Sequence, residues 1–227
     1  MGWKNGVQTD NSVNPSKSEM ILFTRKYKPD SLVPIIFYGK DLEQQNQVKY
    51  LGVILDSKLN WSNHIDAKCN KALISLYKLR RSVGNTWGLT PRTTRWMYTA
   101  IIRPSLTYAA VVWWPRVELK TASRKLEHLQ RLACLLITGA LRTTPTKALE
   151  IIVDLLPLPI YIMQTAMLAC LRLRASHQWV HAYCGHTRIY TLLEQYASLP
   201  CLGGIKSYRV IHLTIIMSSV YQIKMTG

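Results

Sequence analysis

Acid is scarce in this chain of 227 residues: 12 Asp and Glu stand against 29 Lys and Arg, and no two of the twelve acids are adjacent. The surplus of +17 predicts a polyanionic partner, either nucleic acid or an acidic membrane surface. Cysteine is also sparse. Five are present, an odd number with none spaced as CxxC, and with no signal peptide read at Met1 reduced thiols are expected. There is no GxGxxG, no P-loop and no GxSxG, which removes the usual signatures of dinucleotide, phosphate-cradling and serine-nucleophile chemistry. No signal peptide is read at Met1, and the opening MGWKNG lacks the Ser or Thr that myristoylation needs. An intracellular protein, nuclear or cytoplasmic, is therefore expected. Residues 155–171 carry no charge, but Pro157, Pro159 and Gln164 interrupt them, and the rest is shorter than the ~20 apolar residues of a spanning helix. A buried core helix is the better reading.

What is present is apolar material, 48% of the chain, enough for a real core. The first sixty residues predict short strands at 20–24, 35–38 and 48–55, the last broken by Gly52. After Leu59 the period becomes helical. Ile65, Cys69, Leu73, Leu76 and Val83 fall near one face, with a stop at Gly84. Thr90-Pro91 supplies an N-cap followed by proline, and Thr144-Pro145 repeats the device. Pro104 should end or kink the helix that begins at Pro91. A further helix over 119–138 turns Leu126, Leu129, Leu132, Ala133 and Leu136 inward and closes at Gly139. Pro159 opens a helix to about Ala175. The fold class is α+β, mostly α: short antiparallel strands, then a helical bundle.

Residues 57–131 hold fourteen Lys and Arg against Asp66, Glu118 and Glu127, a surplus of eleven in one helical region. Phosphates are attracted to such a surface without sequence readout. Tyr98, Tyr108, Trp113 and Trp114 could stack on bases, but large rings usually bury area and are read as core. His177, His181, Cys184 and His186 offer four nitrogen and sulfur ligands, yet their spacing matches no standard zinc motif. Asp41 with Glu43, and Glu150 with Asp154, are the closest carboxylate pairs; both are read as surface acids.

Three segments resemble the reverse transcriptases of non-LTR retrotransposons, especially the jockey-like elements of arthropods. The first is Val13-Asn14-Pro15-Ser16-Lys17-Ser18-Glu19. The second is Lys49-Tyr50-Leu51-Gly52-Val53 with Leu59-Asn60-Trp61 and His64-Ile65. The third runs from Trp87-Gly88-Leu89 through Tyr98-Thr99-Ala100, Arg103-Pro104, Leu106-Thr107-Tyr108, Trp113-Trp114 and Gln130-Arg131-Leu132-Ala133 to the stretch from Thr138 to Pro145. The resemblance covers about residues 13–175. It implies a C-terminal piece of an RNA-directed DNA polymerase: a palm remnant with lysine motif and primer-grip hairpin at 1–60, a helical thumb at 61–175, and a connector and tail at 176–227. It assigns nucleic-acid contact to Lys17, Lys49, Tyr50, Leu51 and Gly52, joined by Lys78, Arg80, Arg81, Arg92, Arg95, Arg124 and Lys125 of the basic region.

In the family, two metal ions are held by a Tyr/Phe-Ala-Asp-Asp turn and an earlier aspartate, which the resemblance places upstream of Met1. No catalytic or metal-binding residue is therefore expected here, and no cofactor, although the intact enzyme uses magnesium. The expected partner is an RNA or DNA primer–template, with no membrane and no small-molecule substrate. The alternatives are a helical module that binds nucleic acid or another protein without catalysis, and a non-functional pseudogene product. Residues 61–175 are expected to form the ordered unit, with 1–12 and 176–206 loose and 208–223 poorly docked.

Overall fold

A computed structural model describes residues 18–24, 26–27, 35–37, 39–84 and 87–176. Lys17, the His177–His186 cluster and the 208–223 tail lie outside the described residues. The chain divides into two compact units, 1–64 and 65–227.

The first unit contains two separate hairpins. Strand β1 (Ile35–Phe37) pairs antiparallel with β2 (Lys40–Leu42), Ile35 opposite Leu42, and Gly39 at φ 76° makes the reversal. Strand β3 (Gln47–Tyr50) pairs antiparallel with β4 (Val53–Asp56), Tyr50 opposite Val53. The run at 48–55 is thus not one strand. It folds back at Leu51 and Gly52, whose φ values of 46° and 80° are both positive, the backbone a two-residue hairpin turn requires. Nor do residues 20–24 form the expected strand. Met20 makes a single parallel bridge to Gln44, and Thr24 N–H donates to the Ser57 carbonyl at 3.0 Å. One bridge gives no ladder, so the segment stays irregular.

Asp56 then sets the turn into the first helix. Its two carboxylate oxygens accept from the backbone N–H groups of Asn60 at 2.9 Å and Trp61 at 3.0 Å. Leu59 and Trp61 both take positive φ, 52° and 62°. Buried His64 accepts from Ile54 N–H through Nδ1 at 3.1 Å, which makes its ring neutral with the proton on Nε2.

The second unit is helical: α1 (Ser62–Arg80, whose first turn belongs to the preceding unit), α2 (Pro91–Met97), α3 (Arg103–Thr107), α4 (Ala110–Trp113), α5 (Lys120–Thr138), α6 (Thr146–Ile152) and α7 (Leu158–Ala175). A π-helical turn, Tyr98–Ile102, joins α2 to α3, and a 3₁₀ turn, Trp114–Glu118, follows α4. Of the two outcomes expected at Pro104, an end or a kink, the end does not occur: the regular helix is interrupted just before it and resumes through it. Arg103 N–H bonds to the Tyr98 carbonyl, five residues back, and Pro104 falls in the first turn of α3. The wider turn absorbs the proline, which has no N–H to give and whose ring would crowd a tighter helix. The chain breaks instead at Ala109, which takes φ 56° between α3 and α4.

Helix α5 carries the core, burying Ala122, Leu126, Leu129, Ala133, Cys134 and Ile137. It packs against α2, α6, α7 and the 3₁₀ turn, while α7 packs against α4. The buried stripe is rotated from the expected one: Leu132 and Leu136 are half-buried. On α1, Ala72 and Leu79 are buried where Leu73 is only half-buried, and the helix ends at Arg80, before the half-buried Val83. Gly139 closes α5 at φ 65°, its N–H bonded to the Leu135 carbonyl at 2.9 Å. Of the four aromatics read as core, Tyr98, Trp113 and Trp114 are fully buried, whereas Tyr108 is 51% exposed. Among the described residues no helix is long and apolar enough to cross a membrane.

Candidate nucleic-acid interface

The helical unit's charge is distributed more unevenly than its total suggests. Residues 67–117 contain nine Lys and Arg and no acid at all. That signal is legible in the sequence when acids are read by position. Lys78 and Arg80 end α1, Arg81 follows, and Arg92 lies in the first turn of α2; all four are exposed. Among the described residues none of the four takes part in an ion pair. Arg124 and Lys125 are exposed on α5.

Lys78, Arg80, Arg81 and Arg92 flank the loop between α1 and α2. Ser82 to Gly84 run beside Trp87 to Leu89, joined by an antiparallel bridge from Val83 to Gly88. Gly84 N–H donates to the Trp87 carbonyl, and Leu89 N–H to the Ser82 carbonyl, both at 2.9 Å. Gly88 sits at φ 91°, and a Cβ there would lie 2.3 Å from the Ser82 oxygen, so only glycine closes the loop. Thr90 then caps α2, its Oγ1 accepting from Thr93 N–H at 3.2 Å.

Other cations of the basic region serve the protein itself. Arg95 Nε donates to the Val153 carbonyl at 2.6 Å and Nη2 to the Asp154 carbonyl at 3.0 Å, with a 3.3 Å salt bridge to the Asp154 carboxylate. Lys125 pairs with Asp66 at 2.5 Å. Lys68 lies 4.8 Å from the centroid of the Tyr108 ring and donates to the Ser105 carbonyl at 3.4 Å. Arg131 donates to the carbonyls of Thr144 and Arg142 and to Thr146 Oγ1, clamping the turn before α6.

Arg103 departs furthest from a surface reading, because it is buried. Its Nη2 donates to Leu156 O at 2.5 Å and to Gln130 Oε1 at 3.2 Å. The guanidinium stands 4.2 Å from the Tyr161 ring centroid and 5.6 Å from that of Tyr98. Gln130 links the group: Tyr98 Oη donates to its Oε1 at 3.0 Å, while its Nε2 donates to Glu150 Oε1 at 2.9 Å and to Leu156 O at 2.7 Å. Glu150, read from sequence as a surface acid, is 8% exposed. Burial pushes its carboxyl pKa up; the Gln130 hydrogen bond and the Arg103 charge oppose the rise. Burial likewise carries the Tyr98 hydroxyl up to about 12 and the neighbouring Cys134 thiol up to about 11. Sequence reasoning missed this network because one Arg, one Gln and one Glu, far apart in the chain, carry no periodic mark.

Glu150 is committed to the buried network, Asp154 to Arg95, and among the described residues no three His, Cys, Asp or Glu side chains gather to hold an ion. The residues assigned to the primer-grip hairpin sit together at its tip. Lys49 is exposed opposite Ile54, Tyr50 is exposed opposite Val53, and Leu51 and Gly52 form the turn.

No protein-family model and no solved structure matches the chain. Curated proteins do. A 115 kDa protein of the type-1 retrotransposable element R1DM of Drosophila melanogaster is 26% identical over 147 residues, covering 65% of this chain and 14% of its own length. The RNA-directed DNA polymerase from transposon BS of the same fly is 29% identical over 126 residues, 56% of this chain and 14% of its own length. A Pol polyprotein from an R1 element of Nasonia vitripennis is 28% identical over 138 residues, 61% of this chain and 32% of its own length. The chain is thus a relative of the polyproteins and RNA-directed DNA polymerases of R1- and jockey-type non-LTR retrotransposons, and it spans a minor part of their length.

Proposed function

We infer that this chain holds primer–template nucleic acid through the basic surface of its helical unit and does not polymerise. The observation that carries the reading is the acid-free stretch 67–117, whose exposed Lys78, Arg80, Arg81 and Arg92 flank the loop between α1 and α2. Phosphates would be bound there by charge and without base readout. Relatives named as RNA-directed DNA polymerases support a nucleic-acid partner. The second half of the reading rests on the carboxylates. None of the twelve acids is adjacent to another in sequence, and the two nearest pairs are exposed or otherwise committed, so among the described residues no carboxylate pair offers itself to two metal ions.

Fluorescence anisotropy with a labelled primer–template at two salt concentrations tests the first half. Binding that weakens steeply with salt is the expected result, since each phosphate contact releases counterions; no binding at low salt rejects it. For the second half, the purified chain should add no nucleotide to a primed RNA template in magnesium or manganese. Template-dependent extension would overturn that half.

A further inference from the structure

The basic loop also displays a large aromatic ring. Trp87 is 65% exposed; this unit buries Trp113 and Trp114 completely and exposes Trp96, on helix α2, to 61%. Its position is constrained. The five-membered part of the indole covers Gly84 so closely that a Cβ there would lie 2.4 Å from Nε1 and 2.5 Å from Cε2. Its carbonyl is tied to Gly84 N–H, and the Val83–Gly88 bridge closes the loop around it. An indole in water gains nothing from such placement, because a ring placed for folding is normally covered. Arg81 leads into the loop, Arg80 precedes it, and Arg92 follows Leu89 by three residues, with no acid from residue 67 to 117.

We propose that Trp87 is a stacking platform for an unpaired nucleobase, set among the arginines that hold the neighbouring phosphates. The inference rests on the nucleic-acid reading above and adds a preference to it: the platform engages a single strand or frayed end, whose bases present their faces, and not the stacked interior of a duplex. Cations beside an aromatic face match the two parts of a nucleotide, and this combination recurs wherever proteins bind single strands without sequence choice. An uncharged apolar partner would gain nothing from the arginines, so charge favours the nucleotide over an apolar protein surface.

Two probes separate the possibilities: a fluorescein-labelled single-stranded oligothymidylate and a blunt-ended duplex, each titrated with the full chain. Trp87→Ala should weaken the single strand by about 5- to 150-fold and leave the duplex and the salt dependence unchanged. Trp87→Phe should keep most of the affinity, since a smaller ring still stacks, and Gly84→Ala should lose part of it by displacing the indole. Circular dichroism confirms that each variant keeps its helices. Unchanged single-strand affinity in Trp87→Ala overturns the platform while leaving the basic surface standing, and points to a different class of partner for the ring. Equal loss on both probes, or no rescue by Phe, overturns it as well. If the unaltered chain binds neither probe at low salt, the nucleic-acid reading fails first, and the platform with it.

Discussion

The guanidinium of Arg103 lies 4.2 Å from the ring centroid of Tyr161, so an arginine of α3 is covered by an aromatic of α7 inside the core. Carbonyl and amide oxygens, and not a carboxylate, accept its hydrogen bonds: Leu156 O and Gln130 Oε1. The charge is held by dipoles and π-faces, with Glu150 one side chain further away on the other end of Gln130.

Replacing Arg103 should therefore act on stability throughout the helical unit. Arg103→Ala removes two hydrogen bonds and two ring contacts and leaves Gln130 short of a donor. A loss of about 3–5 kcal/mol is expected, the range for breaking a buried charged network. Arg103→Lys should rescue little, because an ammonium can neither lie flat between rings nor reproduce the planar fork. Urea denaturation of both variants checks this. Near-wild-type midpoints would show that the network contributes little.

Glu150 predicts a pH dependence of known sign. Its folded-state pKa is raised by burial above the ordinary carboxyl value of 4.5. The folded protein thus binds this proton more tightly than the unfolded one does. Its contribution is most favourable below the unfolded pKa and declines as pH rises through the folded one. Glu150→Gln keeps an oxygen for Gln130 and removes the charge. The variant should be at least as stable as the parent at neutral pH, and its stability should vary less with pH above 4.5. Denaturant midpoints measured across that range decide the matter, and a variant that is less stable at pH 7 counts against the prediction.

Two sequence motifs that look alike should respond differently. Thr90 caps α2 through its hydroxyl, so Thr90→Ala should cost about 1 kcal/mol. Thr144 does not cap α6. Pro145 takes the cap position with no side-chain bond, and the Thr144 carbonyl is occupied by Arg131. Thr144→Ala should then change stability by less than about 0.5 kcal/mol. Thermal melts of the pair supply the test.

Cys69 and Cys134 should be chemically inert in the folded protein. Both are buried, and desolvation lifts both thiols to about 11, so little thiolate forms at neutral pH. Iodoacetamide followed by peptide mass spectrometry should find these two unlabelled until denaturant is added. Rapid native labelling of either would place its helix in an open state.

The legible parts of the fold were those governed by neighbours in sequence. Thr90 before Pro91, and Gly139 after an apolar stripe, stop and start helices by local chemistry, and both act where expected. That Pro104 interrupts the regular helix was legible; the π-turn that absorbs it was not, because it is adopted by the preceding residues. At 48–55 composition gave a strand, while the resemblance gave a hairpin; the backbone reversal at Leu51 is unusual for a leucine, and no turn-forming pair marks it. In the candidate interface, the exposed cations beside the α1–α2 loop could be named from the charge imbalance. The diversion of Arg95, Arg103 and Arg131 into structural bonds could not, because their acceptors are backbone carbonyls and distant side chains.

Arg95 illustrates what that diversion means for a basic surface. Two carbonyls and one carboxylate already occupy its guanidinium, all from the turn that links α6 to α7. A phosphate that took the Nε and Nη2 edge of this arginine would do so by exchange, releasing Asp154 and uncoupling α2 from that turn. The described cations of the helical unit are therefore of two kinds: some are open to an incoming anion at no structural cost, and others act as rivets whose structural bonds would be lost if an anion took the same donors.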